Sequence, residues 1–181
     1  EYRREVKEHG FAWTPSRVEL RHKIIEQLQN GRWPLLKGEA GTGKSELADA
    51  AALAITGEQP THLPCNERTS FYHMIASQAI GDTSYYDYKE VMQAATGYTD
   101  SLQSAPVFTH GRIVRFDESG KLGDDGYAII KELRQKKAVT PAELDLYRQG
   151  KLHDPDKIIF GRPILPGFAA IWTTNPAGPR Y

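Results

Sequence analysis

A single cysteine, Cys65, in 181 residues excludes an internal disulfide framework. The chain shows no N-terminal leader signature and no long apolar run, so the expectation is a reduced, cytoplasmic protein with no membrane contact. An excess of charge is also missing. Lysine plus arginine and aspartate plus glutamate balance at 23 each, which removes any global electrostatic case for nucleic acid and leaves only local patches. With 39% apolar and 25% charged residues the composition is globular, and the length suits one domain or slightly more. Cys65 itself reads as a buried or strand-end thiol, because a nucleophile would need an activating base beside it.

What is present begins with "GEAGTGKS" at residues 38–45. Gly38, Gly43, Lys44 and Ser45 fit G-x-x-x-x-G-K-[ST], and Gly41 adds a further glycine. Glycines let the backbone turn its N–H groups onto phosphates, the lysine reaches the β and γ oxygens, and the serine hydroxyl suits Mg²⁺. The expected nucleotide-binding set is Gly38, Glu39, Ala40, Gly41, Thr42, Gly43, Lys44, Ser45 and Glu46. Leu35 and Leu36 supply a strand before the loop. Behind it, "SELADAAALAIT" supplies a helix with Leu47, Ala48, Ala51, Ala52 and Ile55 on one face, Gly57 at its end, and a positive N-terminus facing the anion.

Upstream, Thr14 caps a helix that starts with Pro15, carries Leu20, Ile24, Ile25 and Leu28 on one side, and closes at Asn30-Gly31. Phe11 and Trp13 before it either pack on that helix or line a base pocket, with packing the expectation. Downstream, "PTHLPCNERTS" reads as a short strand running into a polar loop and "FYHMIASQAIG" as a helix ended by Gly81. The tyrosine-rich "DTSYYDYKEVMQAATGYTDSL" offers only a short apolar face in Val91, Met92 and Ala95, and reads as a surface insertion. Tyr85, Tyr86 and Tyr88 there either pack on their own domain, the expectation, or stack on bases or a partner.

A second motif, "GRIVRFDE" at residues 111–118, is a β-rich run that delivers Asp117 and Glu118 at the C-terminal end of a strand, where parallel sheets bind ligands. An aspartate there can hold Mg²⁺, and the adjoining glutamate can orient and deprotonate an attacking water. Further on, "DDGYAIIKELRQKK" has Tyr127, Ile130 and Leu133 in helical register. "TPAE" is a capping box that opens a short helix ended by Gly150, and "FAAIWTT" is another central strand with Asn175 at its end. His153, Asp154 and Asp156 read as a solvated turn, since no second histidine or cysteine stands at a ligand spacing.

Taken together these motifs resemble the AAA+ ATPases. "GEAGTGKS" resembles their Walker A, "RIVRFDE" their Walker B and "IWTTNP" the strand ending in the sensor 1 asparagine. Order and wording are most similar to the MoxR and dynein/midasin-like branch, over most of the chain from Thr14 to Pro176. The resemblance implies an α/β P-loop fold, a three-layer sandwich around a central parallel sheet. Its parts would be a leading helix at 14–30, Walker A at 38–45, a helix 2 insertion at 82–100, the Walker B strand at 111–118, a pre-sensor 1 hairpin region at 137–163 and the sensor 1 strand at 169–175. It implies ATP and Mg²⁺ as ligands, with Lys44 on the phosphates, Ser45 and Asp117 on the metal, Glu118 as base and Asn175 positioning the attacking water. It further implies a homo-oligomeric ring, a hexamer in the family, acting on a protein substrate or adaptor.

Three features depart from that pattern. Arg115 interrupts an apolar strand and needs a partner or a route to solvent. The capped helix at 141–149 enlarges the hairpin region. The family's arginine finger and its helical lid with a second sensor would lie beyond Tyr181, so the expectation is a fragment with a missing C-terminal lid, slow in hydrolysis alone, with neither Arg162 nor Arg180 substituting for the finger. The leading function is Mg²⁺-dependent ATP hydrolysis that drives remodelling of a protein partner. The alternatives are a nucleic-acid motor, using the tyrosines and the basic turn from Arg134 to Lys137, a GTP-dependent restriction-type enzyme, since the loop reads phosphates and not the base, or a nucleotide-binding scaffold without turnover.

Overall fold

A computed structural model describes residues 11–176. Helix α1 (Pro15–Gln29) is capped by the Thr14 side chain and leads into strand β1 (Leu35–Lys37). The glycine loop follows, then helix α2 (Lys44–Thr56) and strand β2 (Thr61–Pro64). A short helix α3 (Phe71–Met74) precedes a hairpin of β3 (Ala76–Ile80) and β4 (Ser84–Tyr88), followed by helix α4 (Glu90–Thr96). Strand β5 (Ile113–Asp117) runs into a 3-10 turn, Ser119–Lys121. The remaining elements are helix α5 (Asp124–Gln135), helix α6 (Pro141–Arg148), a 3-10 turn, Pro155–Lys157, a two-residue ladder of β6 (Ile158–Ile159) and β7 (Arg162–Pro163), and strand β8 (Ala169–Thr174).

The central sheet has the order β1-β8-β5-β2, and all three pairings are parallel. Parallel strands need crossovers and therefore bury both faces. Alternation along the strands sorts the core accordingly. Ile113 and Ile171 face the layer of α1 and α2, packing with Trp13, Ile24, Leu28, Leu36, Leu47 and the buried alanines of α2. Val114, Phe116, Ala170 and Trp172 face the other way, toward α4 and α5. The sheet with helices on both sides is the α/β arrangement expected of a P-loop fold. Among the described residues no helix is long and apolar enough to cross a membrane.

The structure corrects several expectations. Residues 71–81 do not form one helix. The chain leaves α3 at Ile75, and Ala76–Ile80 pairs antiparallel with Ser84–Tyr88, because the tyrosines of β4 favour a paired, half-buried ladder over an isolated helical turn. The segment after that hairpin is not surface. Val91, Met92 and Ala95 in α4 are fully buried, with Ala94 and Thr96 beside them, so five of its seven residues plug the core beneath β5. Tyr88 is buried as well, and Tyr86 packs edge-on against Phe160 at 5.0 Å between ring centres. Among the apolar stripes read from sequence, Leu20, Ile55 and Tyr127 are exposed. In α5 the small Gly126 takes the contact instead, since a Cβ there would lie 2.5 Å from the Thr69 carbonyl oxygen. The Thr140 capping box forms as read, with Thr140 and Glu143 exchanging side chain-to-backbone bonds.

Candidate functional site

Parallel strands bring their C-terminal ends to one edge, and there the chain places its charged motifs. The loop after β1 begins with the Gly38 N–H donating to the Thr174 carbonyl at 3.2 Å, which extends the β1–β8 pairing into the loop. Gly41 and Gly43 both have positive φ, +75° and +83°, a conformation that side chains resist. A Cβ on Gly43 would also lie 2.2 Å from the Phe11 ring. Phe11 therefore packs over the loop, with Trp13 edge-on at 5.1 Å and the Arg17 guanidinium 4.3 Å above its ring. Trp13 is buried and packs as expected.

Lys44 opens α2, and its ammonium donates to the carbonyls of Gly38 (2.8 Å) and Glu39 (2.6 Å) and to Asn175 Oδ1 (3.1 Å). Residues 131 positions apart thus meet at one atom. Glu118 follows β5 in the left-handed region, φ 55° and ψ 41°, an uncommon conformation for a non-glycine residue and a common one at functional turns. Its carboxylate is partly exposed and pairs with Lys121 at 2.5 Å. The turn after it closes onto β8, with Ser119 Oγ donating to the Thr173 carbonyl at 3.3 Å.

Asp117 is the most heavily engaged group. Its Oδ2 lies 2.6 Å from His62 Nε2 and 3.0 Å from Arg115 Nη2, and its Oδ1 accepts from Thr173 Oγ1 at 2.7 Å. Arg115 finds the partner its place in the strand demands. It shares the strand face of Ile113, so it points at α2, where Asp49 meets its Nη1. Burial works against its charge, and Asp49 and Asp117 more than offset that, so its pKa lies above the ordinary arginine value. Asp49, His62, Thr173 and Lys121 were not read from sequence. Asp49 alone carried a signal: it stands four residues after Ser45 and so shares its side of α2.

Other candidates fall away from this edge. Arg162 is engaged internally, stacked over Tyr98 at 4.0 Å and donating to the carbonyls of Ser101 and Gln103 at 3.0 and 2.8 Å. Arg180 lies outside the described residues. Asp154 accepts from its neighbour's backbone, Asp156 N–H, at 3.0 Å, and no His/Cys/Asp/Glu group able to hold a metal by itself occurs among the described residues.

Cys65 is buried beside β5, its N–H bonded to the Asp117 carbonyl at 2.9 Å. Burial first, then the Asp117 and Glu118 charges, push its thiol up to about 12. An unfolded thiol loses its proton near pH 8.5, about the free value, so between there and about 12 the folded state holds a proton the unfolded state has lost. The contribution is complete below about pH 8.5 and declines above it. The urea midpoint should therefore fall more steeply between pH 8 and 10.5 in the native sequence than in Cys65→Ala, and iodoacetamide should leave the folded thiol unmodified at pH 8.

No curated protein matches the chain. A candidate ATPase from Cytophaga hutchinsonii has a similar structure, with a TM-score of 0.50 at 15% identity over 91% of this chain and 40% of that one. A full-length MCM homologue from Methanopyrus kandleri aligns at a TM-score of 0.36 and 13% identity, over 94% of this chain and 36% of that one. The chain thus spans well under half the length of either. The family model for the AAA domain of the dynein-related subfamily matches residues 34–180, a stretch that holds the glycine loop, Asp117, Glu118 and Asn175. This chain belongs to that family of AAA domains, within the AAA+ P-loop proteins.

Proposed function

We propose that this chain is the ATP-hydrolysing core of a ring-forming machine that remodels a protein partner. The observation that carries the reading is the meeting of Lys44 and Asn175 at 3.1 Å, beside the strand that ends in Asp117 and is followed by Glu118. Family membership supports nucleotide binding, and AAA+ proteins commonly assemble as rings.

The residues fit a hydrated Mg²⁺. Ser45 offers a hydroxyl and Asp117 a carboxylate, hard oxygen donors of the kind that hold this ion together with substrate phosphates rather than in a closed protein cage. Asp117 accepts hydrogen bonds from Arg115 and Thr173 and lies 2.6 Å from His62 Nε2, and a carboxylate has about four lone-pair sites, so it keeps capacity for a further donor such as a metal-bound water. The ion, when bound, neutralises charge on the phosphate oxygens. Loop N–H groups and the α2 N-terminus bind the phosphates. Lys44 turns from the loop carbonyls to the β and γ oxygens. Glu118 accepts the proton of the attacking water, and the Asn175 amide orients that water against the γ-phosphate. An arginine supplied by a neighbouring subunit is worth about 10³ to 10⁵ in rate where it operates, so turnover should depend on assembly.

The test is phosphate release from ATP and GTP with Mg²⁺ across a protein concentration series. Turnover should rise more than proportionally with concentration, favour ATP, and vanish in Lys44→Ala together with nucleotide binding. Tight binding without turnover at every concentration would leave a scaffold, and a preference for GTP would redirect the reading to the GTP-dependent class.

A further inference from the structure

Arg115 is a buried guanidinium, itself 9% exposed, at the centre of the parallel sheet. Its Nη1 meets Asp49 and lies 3.5 Å from the Ser45 carbonyl, and its Nη2 donates to Asp117 at 3.0 Å. Its Nε is buried with no hydrogen-bond partner among the described residues. For stability alone this is a poor arrangement. Buried ion pairs seldom repay their desolvation, and an apolar set of the same volume is often neutral or better. An unpaired buried N–H adds to the cost.

The geometry has a different use. The two protein groups that would face a metal, Ser45 and Asp117, sit on different elements, and one planar, rigid fork touches both: the backbone of the first and the carboxylate of the second. Asp49, one turn along α2 from Ser45, anchors that fork to the helix. Without it, Asp49 and Asp117 would be two carboxylates sharing one pocket, and Asp117 would be held only by His62 and Thr173.

Resting on the proposed function, we infer that Arg115, anchored by Asp49, is a positioning residue that sets the Asp117 carboxylate against Ser45, so that metal uptake by the nucleotide complex depends on it while nucleotide binding as such does not. A lysine cannot replace it, because an ammonium is a point charge and lacks the fork that spans two carboxylates.

The test uses Mn²⁺ as the probe and a fluorescent ATP analogue as the nucleotide. Analogue affinity is measured in EDTA, and Mn²⁺ uptake by the complex is followed by electron paramagnetic resonance. The double variant Asp49→Leu/Arg115→Met removes Arg115 and one of its two counter-charges together and leaves Asp117 held by His62 and Thr173; its thermal midpoint is measured first to show that it folds. It should bind the analogue in EDTA within about twofold of the native chain and need 10- to 100-fold more Mn²⁺ for half-saturation, the usual effect of losing a partner that orients a ligand. Arg115→Lys, which keeps the charge, provides the second readout and should raise the Mn²⁺ requirement severalfold. Native Mn²⁺ uptake in either folded variant overturns the role of Arg115 and leaves the proposed function standing. A native chain that binds neither analogue nor Mn²⁺ overturns both.

Discussion

Glu118→Gln should lower ATP turnover by about 10² to 10⁴, the range that a positioned general base contributes, and leave nucleotide affinity within a few-fold of the native value. Glutamine has the same length and can adopt the same left-handed backbone, so the substitution removes a proton acceptor and little else. The neighbouring carboxylate does not substitute. Asp117 is committed to Arg115, His62 and Thr173, whereas the Glu118 carboxylate has, among the described residues, one surface partner, Lys121, an ion pair of the exposed kind that costs little to break. Single-turnover phosphate release and equilibrium binding of the same nucleotide separate the two effects. An unchanged single-turnover rate would remove Glu118 from the chemistry and direct attention to the loop and Asn175 alone. Loss of binding together with turnover would mean that the left-handed turn supports the loop, a structural role.

Phe116→Ala should be the most damaging of the core substitutions, at about 3 to 5 kcal/mol. Phe116 is completely buried, and its ring stacks on Trp172 of the adjacent strand at 5.0 Å between centres and 26° between planes. The two residues are also Cα partners in the β5–β8 ladder. The cavity left behind would open against α4 and α5, whose packed side chains cannot close it without moving the sheet. Against a typical domain stability of about 5 to 15 kcal/mol, this loss should show as a clear fall in the urea midpoint. Because β5 ends one residue later in Asp117, the variant should also weaken nucleotide-dependent turnover. A shift below about 1 kcal/mol would mean that α4 collapses into the gap and that the core is less rigid than its burial indicates.

The loop and the two carboxylates were legible in the sequence because each rests on local chemistry, whereas Asn175 was legible only as the residue at a strand end, its role coming from the family resemblance. Glycines at positive φ, a lysine at a helix start, and charge at the end of an apolar run need no tertiary information to be recognised. The capping box at Thr140 and the glycine stop at Gly57, φ +74°, were legible for the same reason. The hairpin of β3 and β4 was not. Taken alone, "MIASQAI" is compatible with helix, and only its pairing with the tyrosine strand decides against it. Helix α4 was misread as surface because seven residues carry too little periodicity to reveal that Val91, Met92, Ala94, Ala95 and Thr96 are all buried.

What the sequence by itself determined about this protein is therefore the identity of its charged and glycine-rich ends and the alternation that makes a two-faced sheet. Only the tertiary structure decided how those ends meet. It placed Lys44 beside Asn175, aimed Arg115 at Asp49, and put His62 and Thr173 on Asp117, because parallel strands carry their C-terminal residues to one edge from places far apart in the chain. A buried arginine is an anomaly when read along one strand. Across the sheet and the helix above it, the same residue is the shared partner of two carboxylates, since a charge removed from water must find its counter-charges wherever the fold brings them.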